Sequence, residues 1–209
     1  MSKWNYGGYA DKYDMNGVIQ IGTGKVKVHN IFDPLPDFMR EADTVIVDPP
    51  CSLGNINSFY TKAGRLDYQT SYMPFAMRLW EVIDEIAPKT VVMELFKSNR
   101  ELMEAEAKRR YEYVDVYNST YYHNKKNKCY IMVCTNDYDF TNPPLEGMDE
   151  QDVIEWVCKN MEYECIGDPC MGRGLVGFYA NKYGRRFVGT ELNGNRLAVL
   201  LERINRGKL

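Results

Sequence analysis

Apolar residues fall along this chain in short alternating or continuous runs bounded by polar, glycine or proline positions, a pattern that predicts mostly short, buried strands. Such runs lie near Val18–Ile21, Val26–Val28, Thr44–Val47, Thr90–Leu95, Tyr111–Tyr117, Cys129–Cys134, Cys165–Gly167 and Arg186–Thr190. Helical spacing of apolar positions predicts helices over Met73–Ile86, Arg100–Arg110, Asp149–Met161, Leu175–Tyr183 and Asn195–Arg206, several of them after a polar residue able to cap the first turn. The two kinds of element mostly alternate, so the expected class is α/β. The stretch Asp137 to Gly147, with Asn142-Pro143-Pro144, reads as a connection. It divides one expected domain, residues 1–209, into a first block (1–136) and a second (148–209). No internal repeat is visible.

Composition narrows the class. With 44% hydrophobic and 26% charged residues over 209 positions, the chain can bury a sizeable core, yet it is too short for a catalytic domain plus a large independent recognition domain. No apolar run approaches the roughly 20 residues that span a bilayer, and Met1 to Asn16 has no signal-peptide core, so a cytoplasmic chain without a membrane partner is expected. The six cysteines form no Cys-x-x-Cys pair and the two histidines stand far apart, which argues against a zinc site or a disulfide framework. A net charge of −3 means that any contact with nucleic acid is local. The best candidate is Tyr121-Tyr122-His123-Asn124-Lys125-Lys126-Asn127-Lys128, where base-stacking aromatics sit beside three lysines. A solvated hairpin turn is the other reading of the same segment.

Two motifs carry chemistry. Ile166-Gly167-Asp168-Pro169-Cys170-Met171-Gly172-Arg173-Gly174 is a strand entering a glycine-rich turn before a helix, a shape that lets a ligand approach the backbone closely. About twenty residues on, a strand ends in Glu191, placed to accept hydrogen bonds from two ribose hydroxyls. Together they indicate a nucleoside-containing ligand. Gly172-x-Gly174-x-x-Gly177 also fits the dinucleotide fingerprint of dehydrogenases, but an Asp-Pro pair leads into the turn and only 18 residues follow Glu191.

The second motif, Thr44-Val45-Ile46-Val47-Asp48-Pro49-Pro50-Cys51, is a buried strand delivering a carboxylate and two prolines to its C-terminal end, the edge at which open α/β sheets bind ligands. Read alone, it is a rigid turn. Read with the glycine loop, it suits amino-group methylation. An aromatic amine is a poor nucleophile because its lone pair is delocalised into the ring. Two acceptors, the Asp48 carboxylate and the Pro49 carbonyl, would each take one amino hydrogen and favour a pyramidal nitrogen. Catalysis of this kind is positioning and electrostatics and needs no metal.

These residues resemble the amino-directed DNA methyltransferases, whose catalytic motif is Asp/Asn/Ser-Pro-Pro-aromatic and whose cofactor motif is Asp-Pro-Phe-x-Gly-x-Gly. The order here, catalytic motif first, resembles the permuted beta class. The resemblance implies a Rossmann-like methyltransferase fold: a mostly parallel sheet with helices on both faces, an antiparallel strand near one edge, and the two motifs ending adjacent central strands. It implies S-adenosyl-L-methionine as cofactor and methylation of DNA, duplex or single-stranded, with adenine N6 favoured over cytosine N4 by Asp at position 48. Asp48, Pro49, Pro50 and Cys51 take the catalytic positions. Asp168, Pro169, Cys170, Gly172, Gly174 and Glu191 take the cofactor positions, and Thr141-Asn142-Pro143-Pro144 the place of a further cofactor-contacting motif, without its usual Lys-Pro.

Three departures shape the remaining expectations. Cys51 and Cys170 stand where the family has aromatics, so another ring would have to stack on a flipped base, with Phe59, Tyr60 and Tyr122 as candidates. A large recognition domain is missing. The polar, aromatic stretch Ser52 to Thr70, with Asn55, Asn57, Lys62 and Arg65, is then the expected substrate-facing lid or else an ordinary ordered loop. Rival readings are methylation of RNA, a free nucleotide or another small amide, and a silent module that binds cofactor or nucleic acid. A homodimer is compatible with the sequence, and a restriction partner is left open.

Overall fold

The computed structural model describes residues 6–137 and 142–209. Thr141 lies outside the described residues, as does the start of the chain through Asn5. Eight strands form one sheet: β1 (Val18–Ile21), β2 (Gly24–Val28), β3 (Thr44–Val47), β4 (Thr90–Leu95), β5 (Tyr113–Tyr121), β6 (Asn124–Thr135), β7 (Cys165–Asp168) and β8 (Arg186–Glu191), in the order β1-β2-β8-β7-β3-β4-β6-β5. The pairs β2·β8, β8·β7, β7·β3 and β3·β4 are parallel, whereas β1 at one edge and β6 near the other run against their neighbours. Strands of the two sequence blocks interleave, since β3 of the first block sits between β7 of the second and β4.

Alternation along the central strands sends side chains to two cores. Val45, Val47, Val91, Met93, Met132 and Cys134 face one side, with α1 (Leu53–Lys62), α2 (Met73–Ile86) and α3 (Arg100–Ala107). Ile46, Val92, Ile131, Val133 and Ile166 face the other, with α4 (Glu150–Asn160), α5 (Leu175–Lys182) and α6 (Gly194–Arg206). Burying apolar rows on both faces is what makes β3 and β4 continuous apolar runs instead of alternating ones. Trp80 is fully buried on α2, and Trp156 packs partly buried against the opposite core.

The topology itself makes a crevice. From β7 the chain passes through α5 to β8 on one side, and from β3 through α2 to β4 on the other. Right-handed crossovers in opposite directions put the two helices on opposite faces and leave a gap beyond the carboxyl ends of β7 and β3, where open α/β sheets hold ligands.

Two expectations are corrected. The stretch Ser52 to Thr70 is not a long loop, because Ser52 caps α1 by accepting the Asn55 N–H at 3.3 Å and the helix buries Ile56 and Tyr60 at helical spacing. What remains of the loop is pinned to α1 by two bonds between Asn57 and Gln69, at 3.1 and 2.9 Å. The segment Tyr121–Lys128 is the hairpin that one of its two readings expects, but its strands run further toward the tip than Tyr117 and Cys129. It belongs to a long β5–β6 hairpin whose tip is Tyr122-His123, both at positive φ (58° and 49°), the geometry that matches the twist of flanking strands.

Candidate active site

The catalytic and cofactor motifs predicted from sequence end adjacent strands and open on one cavity of about 480 Å³. Its lining includes Asp48, Pro49, Pro50 and Cys51 from the end of β3, and Asp168, Pro169, Cys170 and Gly172 from the end of β7, with Glu191 from the end of β8. The volume is that of a small-molecule or cofactor site.

On the β7 side the glycine loop is knitted to the end of β8. The Gly172 N–H donates to Glu191 Oε2 at 2.7 Å, the Asn193 N–H to Glu191 Oε1 at 3.0 Å, and the Met171 N–H to the Thr190 carbonyl at 3.0 Å. Gly172 and Gly174 have φ of 57° and 75°, and a Cβ on Gly174 would stand 2.6 Å from Leu200 Cβ, so the turn requires glycine there. Each Glu191 oxygen keeps a lone pair beyond its backbone bond, enough for two hydroxyl donors. Asp168 is 5% exposed and accepts the Cys170 N–H at 3.0 Å, which fixes its carboxyl at the cavity floor. Burial raises Asp168 well above the ordinary carboxylate range and also raises Glu191, the latter opposed by Arg196.

On the β3 side, Asp48 is solvent-exposed and lines the cavity. Enclosure by protein pushes its carboxyl up to about 6, against the pull of Arg196. The turn after it is tied down from two directions: Ser98 Oγ donates to the Cys51 carbonyl at 2.9 Å, and Asn55 Oδ1 accepts from Cys51 Sγ at 3.0 Å and Ser52 Oγ at 2.8 Å. Asn55 lines the cavity, but its carbonyl is committed to this turn.

The remaining predicted contacts divide. Phe59 lines the cavity, with the Arg196 guanidinium 4.8 Å from its ring centre. Tyr60 also borders it, but is 4% exposed and donates its hydroxyl to Asn30 Oδ1 at 2.8 Å, so it acts as a buried brace. Tyr122 lines the mouth and is 72% exposed. Lys62 and Arg65 do not line the cavity. Lys62 lies over the Phe59 ring at 5.4 Å, and Arg65 is held by Asp67 at 2.9 Å. Asn142, Pro143 and Pro144 are likewise absent from the described lining.

Several lining residues escaped the sequence reading. Glu94, the one acid in the apolar run of β4, is 7% exposed, and burial with the nearby Asp48 and Glu150 carboxyls pushes it up to about 9. A charge inside a run of buried-strand residues was the readable signal. Glu150, at the start of α4, is pushed to about 7, chiefly by burial. Phe96 and Tyr121 meet edge to face at 5.3 Å, and Tyr121 meets Tyr122 at 5.1 Å, so three rings line one wall. The hairpin bearing two of them is clamped by Asp149, which accepts from Thr120 Oγ1 at 3.0 Å and the His123 N–H at 2.9 Å. Five carboxyl groups (Asp48, Glu94, Glu150, Asp168, Glu191) face the cavity against three guanidinium groups (Arg173, Arg196, Arg203).

Neither a protein-family model nor a curated protein matches the chain by sequence. Solved structures do match by shape. M1.HpyAVI with SAM bound superposes with a TM-score of 0.60 at 12% identity, covering 86% of this chain and 99% of that one. The fold is that of the Rossmann-like S-adenosylmethionine-dependent methyltransferases. The cytosine-N4-specific PvuII DNA methyltransferase gives 0.58 at 10% identity over 90% of this chain and 94% of its own. TTHA0409 of Thermus thermophilus, assigned as a DNA modification methylase and complexed with S-adenosyl-L-methionine, gives 0.56 at 14% identity over 80% and 86%. The methyltransferase fold thus spans both sequence blocks of the chain.

Proposed function

We propose that this chain is an amino-directed DNA methyltransferase of the permuted motif order, using S-adenosyl-L-methionine to methylate adenine N6. The observation that carries the reading is the joining of Asp48-Pro49-Pro50 to the Asp168–Gly174 loop and Glu191 around one cavity at the switch point of the sheet. The residues fit the cofactor. Glu191 offers acceptors to a ribose, and ionised Asp48 suits a sulfonium. Bound S-adenosyl-L-methionine supplies an electrophilic methyl group. SAM-bound neighbours of the same fold support the assignment.

The protein's part is to hold the acceptor nitrogen. Ionised Asp48 accepts one amino hydrogen and the Pro49 carbonyl the other, which turns the nitrogen lone pair out of the ring. Asp48 also stabilises the positive charge that grows on this nitrogen as it is alkylated. The proline pair fixes the carbonyl and presents no N–H to compete. With Cys51 in place of an aromatic, the wall of Phe96, Tyr121 and Tyr122 provides the surface on which an extruded base stacks. Lys125, Lys126 and Lys128, exposed on the same hairpin, meet the phosphates. Asp at position 48 favours adenine over cytosine by resemblance.

The test is incubation with methyl-labelled S-adenosyl-L-methionine and unmethylated genomic DNA, digestion to nucleosides, and comparison with Asp48→Ala. Label in N6-methyldeoxyadenosine that vanishes in the variant is the expected result. Label in cytosine moves the target and keeps the mechanism. No label while cofactor binding persists overturns the DNA reading in favour of RNA, a free nucleotide or a silent module.

A further inference from the structure

Glu94 is the buried acid to which the reaction above assigns no task. The register pairs Val47 with Met93, so the next positions, Asp48 and Glu94, stand side by side on adjacent strands. Alternation puts both on the face of Ile46 and Val92, the α4 side of the sheet. Neighbouring strands are about 4.8 Å apart, so the two carboxyl groups share one end of the cavity. The groups acting most strongly on Glu94 are Asp48 from β3, Glu150 and Asp149 from the start of α4, and Cys129 from β6, whose thiol donates to it. Three of these are carboxyls and none is a cation. A buried carboxyl beside a second one resists ionising, and Asp48, which is solvent-exposed and has Arg196 nearby, is the one of the two that gives up its proton. Glu94 therefore keeps an O–H where it borders the cavity.

The adjacency decides what that O–H meets. A base that places its amino hydrogens on Asp48 and the Pro49 carbonyl turns its neighbouring ring nitrogen toward one flank of Asp48. In adenine (N1) and cytosine (N3) this nitrogen is an acceptor. We propose that Glu94, as a neutral acid, donates a hydrogen bond to the ring nitrogen adjoining the target amino group and so orients adenine or cytosine through an acceptor that their deaza analogues lack. The inference rests on the base-methylation reading. Donation to that nitrogen draws on the amino lone pair, so the gain is orientation and selectivity, not activation.

The test uses a duplex oligonucleotide carrying the site mapped with labelled genomic DNA, in two forms: adenine at the target, and 1-deazaadenine, in which N1 becomes C–H. If the label lies in cytosine, 3-deazacytosine takes its place. Loss of one such hydrogen bond corresponds to roughly 10–100-fold in kcat/KM. Wild type is expected to lose that factor on the deaza substrate. Glu94→Ala should lose it on the natural substrate and nothing further on the deaza one, and Glu94→Gln, which keeps a donor, should stay within about threefold of wild type. Undiminished wild-type activity on the deaza base, which needs no variant to fold, overturns the inference. So does an equal loss by Glu94→Ala on both substrates while its S-adenosyl-L-methionine affinity is normal. In either case the methylase reading survives, whereas a wild type that methylates no base removes that reading and this one together.

Discussion

Glu94→Gln is the substitution whose physical consequence follows most directly from the structure. Glu94 is raised from 4.5 to about 9 in the folded protein, chiefly by burial and next by Asp48. Between those values the folded state binds one more proton than the unfolded chain, so stability falls as pH rises across that window. The loss is about 1.4 kcal/mol per pH unit, or at most roughly 3 kcal/mol by pH 7. Glutamine keeps the size and shape of the protonated acid and cannot ionise. The variant should therefore match wild type near pH 5 and exceed it at pH 7, with a melting temperature higher by up to about 6–12 °C for a domain of this size. Swapping an acid for an amide also adds an offset from altered hydrogen bonding, but that offset is independent of pH. The diagnostic is the widening gap. Thermal or urea unfolding of both proteins without cofactor, at half-unit steps from pH 5 to 8.5, measures it. Parallel curves would show that Glu94 ionises normally and would remove the neutral acid on which its proposed contact with the base depends.

Three further outcomes are expected. Because Asp48 must be ionised to accept an amino hydrogen and its carboxyl is raised to about 6, kcat/KM at subsaturating cofactor and DNA should climb about tenfold per pH unit below 6 and level off above it. A flat profile from pH 5 to 7 contradicts the role of Asp48. Replacing Lys125, Lys126 and Lys128 together by glutamine should weaken DNA binding and reduce the slope of log K against log salt by nearly 3, leaving cofactor affinity unchanged. An unchanged slope in a salt titration removes the hairpin from the DNA surface. Gly174→Ala, which forces φ of 75° on a side chain and sets its Cβ 2.6 Å from Leu200 Cβ, should cost about 2–4 kcal/mol and weaken cofactor binding more than tenfold. Calorimetry of unfolding and of S-adenosyl-L-methionine binding checks both.

Central elements were legible because their pattern is set by burial. Thr44–Val47 and Thr90–Leu95 lie between two cores, so nearly every position is apolar whatever the neighbours, and their ends fall where the apolar run stops. The Asp48 turn and the glycine loop were legible because special backbone geometry restricts the residues allowed. The first helix was hidden. Its buried face is only Ile56 and Tyr60, and the glycine and two asparagines of Leu53–Lys62 disguise it as a loop. The hairpin was underestimated for a related reason: its outer half, beyond Cys129, is held by Asp149 and backbone pairing and has no apolar face to read. Glu150, Phe96 and Arg196 reach the cavity by tertiary placement alone, which no local pattern reports.

The net charge of −3 conceals two surfaces with opposite tasks. Carboxyls gather inside the cavity, where Asp48, Asp168 and Glu191 suit a ligand carrying a sulfonium. Lysines gather outside, on a hairpin where none of Lys125, Lys126 and Lys128 forms an ion pair with a described residue. By contrast, Arg100 and Lys108 nearby share Glu104. For a methylase acting on DNA this separation sorts the substrate. On that reading phosphates are attracted to the hairpin while the base passes inward along the wall of Phe96, Tyr121 and Tyr122. The same hairpin carries both the lysines and two of the rings, and Asp149 ties it to the helix that brings Glu150 to the cavity. For a DNA methylase, capture of the backbone and reception of the base would thereby fall to one element, the β5–β6 hairpin.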